Sequence, residues 1–513
     1  MKQSNPWFSS SNAAGIALFD NHKDTISNNY PNISQADLSL TTGYGTFTNY
    51  DSSNKLTTSR ASVESIYRIS RHTVLSGGIS YEAFRGKNMG GSVFMPANIH
   101  RPFDIVEDSI TNLGKKHSDT YHLIGSFATT IHKGIAIGGK IDYTAANYAK
   151  YKDLRHQNKL MDLQLSAGVF IPLYKWLNVG AHYSFQHNIE SVKFGTYGKS
   201  DKVYMSLIDF ANFTGMVEQF GNDGYTDKSR EMPLVDDRHG VGIAFSVHPH
   251  NSLSFYNEYQ YSHRTGYYGN HSPFTISYTE HNGDVFKYKA QLRYNKQSEQ
   301  HIAEFFMDVE NLTNNATTHR ETKNVSGATS YDYYTPVKTA DKVWKNYGLS
   351  YTIYSGIRQE LPTLTIQGGV NRMERKQTAY LYPYLRRQNI KATKLFFNTS
   401  YTIFCKCGLF TIIANGSYSK GNGSPYEDAL LATPSAKRSA PPTMNTWLMR
   451  EYDYLTASQY SIGAAIKYSF LLPQTNLNTF VSFGVNNTKA NGANLSTEDS
   501  HHTQGKLSIG CVF

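Results

Sequence analysis

The sequence predicts an all-β fold: a transmembrane, antiparallel, up-and-down β-barrel of about 18 strands, with short periplasmic turns and long extracellular loops. Three observations predict it. The chain closes on Phe513 after Leu507, Ile509 and Cys511, interleaved with Lys506, Ser508 and Gly510. The same period-two alternation recurs along the whole length. The connections between alternating stretches are short and long in turn. One such stretch would describe any half-buried strand, so the recurrence carries the weight.

Leu177, Val179, Ala181, Tyr183 and Phe185 alternate with Asn178, Gly180, His182, Ser184 and Gln186, giving one face suited to lipid and one to water. Val241, Ile243, Phe245 and Val247 repeat the pattern. Tyr460, Ile462, Ala464, Ile466 and Tyr468 repeat it again, with Lys467 on the wet face. Strand cores begin at 36–48 and end at 502–513. Short connections fall at Ser70–His72, His132–Lys133, Leu173–Lys175, Pro249–Asn251, Ser298–Glu299, Glu360–Leu361, Lys406–Cys407 and Pro473–Thr475. Those between them are mostly long, notably 85–116, 192–237, 314–342 and 421–452. An even strand number then leaves both termini on the short-turn, periplasmic side.

Composition agrees with a single barrel over 36–513. No linker or charge block divides the 513 residues, and 38 tyrosines with 27 phenylalanines supply rings for two interfacial girdles. No apolar run approaches the ~20 residues of a membrane helix, which leaves a barrel open because only alternate residues meet lipid. The formal charge of +10 is spread among acids rather than striped, so it points to the lumen or to loops beside anionic head groups, not to nucleic acid. Met1 and Lys2 are followed by no apolar segment, and the chain is taken as the mature form with its export signal removed.

Residues 1–35 precede the first strand. They form either a periplasmic segment that plugs or underlies the lumen, or a loose tail. An 18-stranded cylinder is too wide to be filled by its own side chains, so it is open or plugged. The loop 85–116, with Val93, Phe94, Met95, Ile99 and Phe103 among glycines and prolines, either folds inward as a constriction or packs outside.

Parity assigns the lumen charges. Lys287, Lys289 and Arg293 face inward on one strand, and Glu304, Asp308 and Glu310 on the next. A turn at Ser298–Glu299 sets Arg293 opposite Glu304, Lys289 opposite Asp308 and Lys287 opposite Glu310, within ion-pair reach. Such a ladder either orients polar solutes or, more simply, braces the wall. Lys140, Asp142, His182, Lys467 and Lys506 are further pore-lining candidates.

No nucleophile elbow, zinc-protease helix or dinucleotide fingerprint occurs, so no catalytic residue, metal or cofactor is assigned and an enzyme is not expected. Cys405-Lys406-Cys407 lacks a third ligand nearby and reads as free thiols. Asn222–Asp227 has oxygen ligands at calcium-like spacing without the closing glutamate. With Asn5-Pro6-Trp7-Phe8, Asn12-Ala13-Ala14-Gly15 and the closing Phe513, the chain resembles an uncharacterised outer-membrane β-barrel family of Bacteroidota. It is similar to porins and fatty-acid transport barrels in architecture only. The resemblance implies fold and address, without a substrate. The expected role is a porin-like channel or accessory transport barrel for small polar solutes. The alternative is a non-conducting surface or complex-subunit barrel whose loops bind a partner. Expected partners are outer-membrane lipid, lipopolysaccharide and an outer-membrane protein or lipoprotein. A TonB-dependent transporter fits less well, since those barrels carry more strands and a plug domain far longer than the stretch before the first strand here.

Overall fold

A computed structural model describes the chain apart from residues 1–4, 20–31, 97–98, 108–111, 199–200, 223, 271, 273–274, 324, 326, 359–360, 476 and 492–499. Its main sheet has 18 antiparallel strands. The first, Asn32–Tyr44, pairs with the last, His501–Val512, placing Leu38 opposite Ile509 and Asp37 opposite Gly510. Ser34 and Phe513 exchange backbone hydrogen bonds of 2.8 and 2.9 Å at the seam. Closure leaves no unpaired strand edge, which is what permits a sheet to stand in hydrocarbon. The outward set is apolar as parity requires: Ile79, Val241, Ile243 and Ile462 are 54, 57, 58 and 71% exposed.

Strand number and order agree with the sequence reading, but ends differ. The first strand begins at Asn32, earlier than residue 36. The turn expected at Ser298–Glu299 is centred on Gln297 and Ser298, because Lys296 and Glu299 are already paired. Glu360 lies outside the described residues.

The long loops turn inward. Strands Asp104–Glu107, Met205–Ala211 and Thr214–Gln219 form a separate three-stranded sheet. It is tied to the inner wall: Lys342 Nζ donates to the Arg101 carbonyl at 3.1 Å, and Asn212 Nδ2 to those of Gln377 and Arg386 at 3.1 and 3.3 Å. Phe94, Phe103, Ile105, Ile208 and Phe210 form a dry core with wall residues Val192, Leu234 and Tyr268. A helix, Asn445–Thr456, completes the cover. Its Trp447 and Leu448 pack on Val106, Leu207 and Phe213, and its Glu451 holds Arg375 through both oxygens at 2.8 and 2.6 Å.

The opposite end receives residues 5–19. Asn12 accepts from the Ala14 amide and caps the 3₁₀ turn Ala13–Leu18, while its Nδ2 donates to the Val169 carbonyl at 2.8 Å. Trp7 stands edge-on to Phe170 and Tyr256 at centroid distances of 4.9 and 5.2 Å, and its Nε1 donates to Ser246 Oγ at 3.1 Å. The wall accommodates this peg with glycines. A Cβ on Gly168 would stand 2.1 Å from Asn12 Oδ1, and one on Gly180 2.6 Å from Asn12 Nδ2 and 2.7 Å from Trp7. Arg68 fastens the far end, donating to the carbonyls of Ala17 and Phe19.

Trp7→Ala is expected to weaken peg docking by about 3–5 kcal/mol, and Gly180→Val to expel the peg by collision. Both variants should be cut by protease within residues 5–19 while barrel melting stays at the wild-type temperature. Wild-type protease resistance in both would mean that the peg is not held by this pocket.

Candidate functional site

The lumen wall has two unlike arcs. From the strand Gly114–His132 round to Glu299–Ala316, many inward side chains are covered by the peg or by the loop core, while His122, Lys140, Lys287 and Phe306 stay accessible. Glu190, Asp236, Glu258 and Arg264 there are 0, 4, 3 and 1% exposed. Each is satisfied by a partner. Glu258 accepts from the Ser11 amide at 3.1 Å, Glu190 accepts from the Met95 amide at 2.7 Å and pairs with Arg101 at 2.8 Å, and Arg264 joins Asp236 to Glu310. Burying ions is costly unless they are paired in this way; Glu190 and Glu258 hold the fillers to the wall, and the Asp236–Arg264–Glu310 set joins wall strands to one another.

The other arc runs from Gly408–Leu430 through His501–Val512 to Lys55–Arg68. Small polar side chains line it and remain accessible: Asn415, Ser461, Ser482, Asn486, Thr488 and Gln504. Asn415 Nδ2 donates to Asn486 Oδ1 at 3.2 Å, and Asn486 Nδ2 to Ser461 Oγ at 3.0 Å. Lys394, Lys467 and Lys506 face inward on one flank. Asp37, Glu64 and Glu82 do so on the other, with Arg60 opposite Glu82. Opposite signs on the two flanks set a field across the polar arc.

The candidate residues divide between these arcs. Lys467, with Nζ 4.1 Å from the centre of the Phe480 ring, and the exposed Lys506 belong to the polar arc. Lys140 and Asp142 share one face of their strand and pair at 3.2 Å, with His122 on Asp142 at 2.7 Å. His182 is buried over Gly242, whose absent Cβ leaves room for the imidazole. The charge ladder is corrected. Lys287 faces Asp308, Lys289 faces Phe306, Gln291 faces Glu304 and Arg293 faces Ile302. Moving the turn centre by one residue shifts every opposed pair by two, so inward parity survives while partners change. Lys289 instead reaches Ser9 Oγ of the peg at 3.1 Å, and Glu310 takes His100 of the folded loop at 2.8 Å.

Sequence reasoning missed the centre of the loop sheet. Asp104 and Asp209 are directly opposed there. Tyr50 donates to Asp104 Oδ2 at 3.0 Å and Ser92 to Oδ1 at 2.7 Å, while Asp209 accepts from the Thr214 amide at 3.0 Å. Burial outweighs these donors and pushes the Asp104 carboxyl up to about 6. Burial also raises Asp209, with Lys342 opposing the rise and Asp104 adding to it. The two acids lie on distant loops with no shared motif, so only the folded register brings them together.

Among the described residues no group of three His, Cys, Asp or Glu is arranged to hold a metal. Asp223, one of the calcium-like ligands, lies outside them. Glu218 organises the rest of that loop by accepting from the amides of Tyr225 and Thr226 at 3.0 and 2.7 Å. Cys405 and Cys407 are exposed free thiols at a turn.

A carboxyl whose folded value lies above its ordinary 3.8 holds its proton better folded than unfolded. Stability therefore falls as pH rises from about 4 through about 6. Amide protection factors over 104–107 and 205–211 are expected to fall across that interval, and Asp104→Asn to flatten the fall. An unchanged slope in the variant would assign the pH response to another group.

The model of a family of unknown function, DUF6850, matches residues 25–513. No curated protein matches the chain. Among solved structures, it is similar to BauA, the ferric preacinetobactin receptor of Acinetobacter baumannii. Identity is 7% and the TM-score 0.43, covering 94% of this chain and 80% of that one. It is also similar to the outer membrane transporter YddB of Escherichia coli, at 8% identity and TM-score 0.41, covering 93% and 81%. The alcaligin outer-membrane receptor FauA of Bordetella pertussis gives 8% and 0.41, covering 93% and 76%. A closed sheet of 18 strands, apolar outside and polar within, is an outer-membrane β-barrel fold, and over residues 25–513 the chain belongs to the DUF6850 family of unknown function.

Proposed function

We propose that this protein is a gated outer-membrane barrel that passes small polar solutes along the accessible arc, with both termini in the periplasm and the long loops outside. The observation that carries the reading is the contrast between arcs: peg and loop core packed against much of one, and half-buried, accessible Ser, Thr, Asn and Gln lining the other. That packing makes residues 5–19 a plug and the loop core a fixed support. The helix Asn445–Thr456, held through the Arg375–Glu451 pair, lies over the strands beside the polar arc and serves as the upper gate. Lys467 and Lys506 against Asp37 and Glu64 would orient dipolar solutes in transit.

A second reading is a non-conducting surface or complex-subunit barrel whose loops bind a partner protein or lipoprotein. The extent of the dry loop core favours it. Planar-bilayer recording separates the two. Wild type is expected to show brief openings, and Glu451→Gln longer ones, because breaking a buried pair costs about 3–5 kcal/mol. Asn486→Trp, added to Glu451→Gln, should cut open-state current at least threefold. Silence of wild type, of Glu451→Gln and of a variant lacking residues 5–18, all folded, would sink the transport reading in favour of the second.

A further inference from the structure

On the outer surface at the long-loop end, the strands Lys55–Arg68, Thr73–Met89 and Gly114–His132 carry an unbalanced cationic cluster. Outward parity on these strands runs through Val63, Ile79 and Tyr81, and Tyr121 and Leu123, all exposed apolar or aromatic residues. Continued towards the loops, the same faces present Lys55, Arg85, Lys87 and Lys115, all exposed. Register brings them together: Lys55 is directly opposite Lys87, and Arg85 directly opposite His117. They line one cleft of about 730 Å³.

Like charges placed opposite each other on a sheet repel. Elsewhere the protein neutralises such groups. On the inward face of the same strand, Lys116 takes Glu107 at 3.2 Å. On the outer face of a distant sector, Arg372 takes Glu374 at 3.1 Å. Here Lys55, Arg85, Lys87 and Lys115 have no carboxylate within ion-pair distance among the described residues. The single acid in the cleft, Asp119, accepts the Tyr81 hydroxyl at 2.6 Å. The cluster is therefore built for an anion that the chain does not supply.

Height identifies the anion. Tyr81 and Tyr121 lie tilted against each other with centroids 5.0 Å apart, following apolar Val63 and Ile79 as the rings of a head-group girdle would. Arg85 lies four residues further on, ~13 Å along the strand, which the usual strand tilt reduces to ~9 Å in height. That is head-group depth. Guanidinium and ammonium groups bind phosphate oxygens by charge-assisted hydrogen bonds.

We infer that Lys55, Arg85, Lys87 and Lys115 form a binding site for the phosphates of an outer-leaflet glycolipid of the lipid A class. The inference rests on the membrane orientation proposed above but not on conduction through the lumen. The test is native mass spectrometry of the delipidated, intact barrel mixed with diphosphoryl lipid A, with its phosphate-free counterpart, or with diphosphoryl lipid A plus millimolar inorganic phosphate. Wild type is expected to retain diphosphoryl lipid A at least tenfold better than the phosphate-free lipid, with no loss to inorganic phosphate. The variant Lys55→Gln/Arg85→Gln/Lys87→Gln/Lys115→Gln should lose that preference. A variant with the three lysines changed to arginine should keep it, and Lys345→Gln/Lys391→Gln, on another sector, should not alter it. Folding of each variant is read from heat-modified gel mobility. If the glutamine variant does not fold, Lys55→Gln/Lys87→Gln alone should reduce retention at least threefold. Equal retention by folded glutamine variants and wild type would overturn the inference. Displacement by inorganic phosphate would also overturn it, by assigning the cluster to a soluble anion.

Discussion

An antiparallel sheet of 18 strands that closes on itself satisfies its backbone hydrogen bonds within the wall, and in doing so encloses more space than its own side chains can fill. This mismatch between circumference and side-chain volume governs the rest of the molecule. Something else must occupy the interior, and here the chain uses itself: a short peg at one end, and two loops with a helix at the other. Because the fillers come from unequal places in the sequence, they do not fill evenly. The peg and the loop core lie mostly against the strands between Gly114 and Ala316, with further ties to Arg68, Lys342, Gln377 and Arg386, and the polar arc is what they leave.

The two ends are held by different physics. The loop end has an apolar core with aromatic rings, such as Phe94, Phe103 and Tyr268, and needs little electrostatics to stay in place. Charged groups there specify position: Arg101 on Glu190, Arg375 on Glu451, and Lys116 and Lys150 together on Glu107. Each joins a loop or helix to a strand. A buried pair of this kind adds little net stability over an apolar substitute, yet losing one partner strands the other ion. At the peg end, one indole and a short run of capped backbone suffice, because the glycine-lined wall lets the two backbones approach closely.

Fold was far more legible in the sequence than site. Alternation at Leu507, Ile509 and Cys511, or at Val241 and Ile243, depends only on which side meets lipid, and that is a local property. The same parity puts Lys289, Glu310, Lys467 and Lys506 on the face opposite the lipid-facing set. Partnership is not local. A one-residue displacement of the Gln297–Ser298 turn was enough to re-pair the whole predicted ladder. The meeting of Asp104 with Asp209, and of Trp7 with Phe170 and Tyr256, requires the closed wall before it exists. The motif around Trp7 could be noticed in the sequence, but its pocket could not.

The peg also sets an order of events in assembly. Trp7 is near the start of the chain, but its hydrogen-bond partner Ser246 lies 239 residues later. Between them come the strands that supply Gly138, Gly168 and Phe170. Residues 5–19 are thus obliged to wait for a surface made of later ones, because contacts this distant in sequence form only after the intervening chain is arranged. Seating of residues 5–19 becomes a record that this part of the cylinder has been built in the correct register, a form of quality control carried by a short peg.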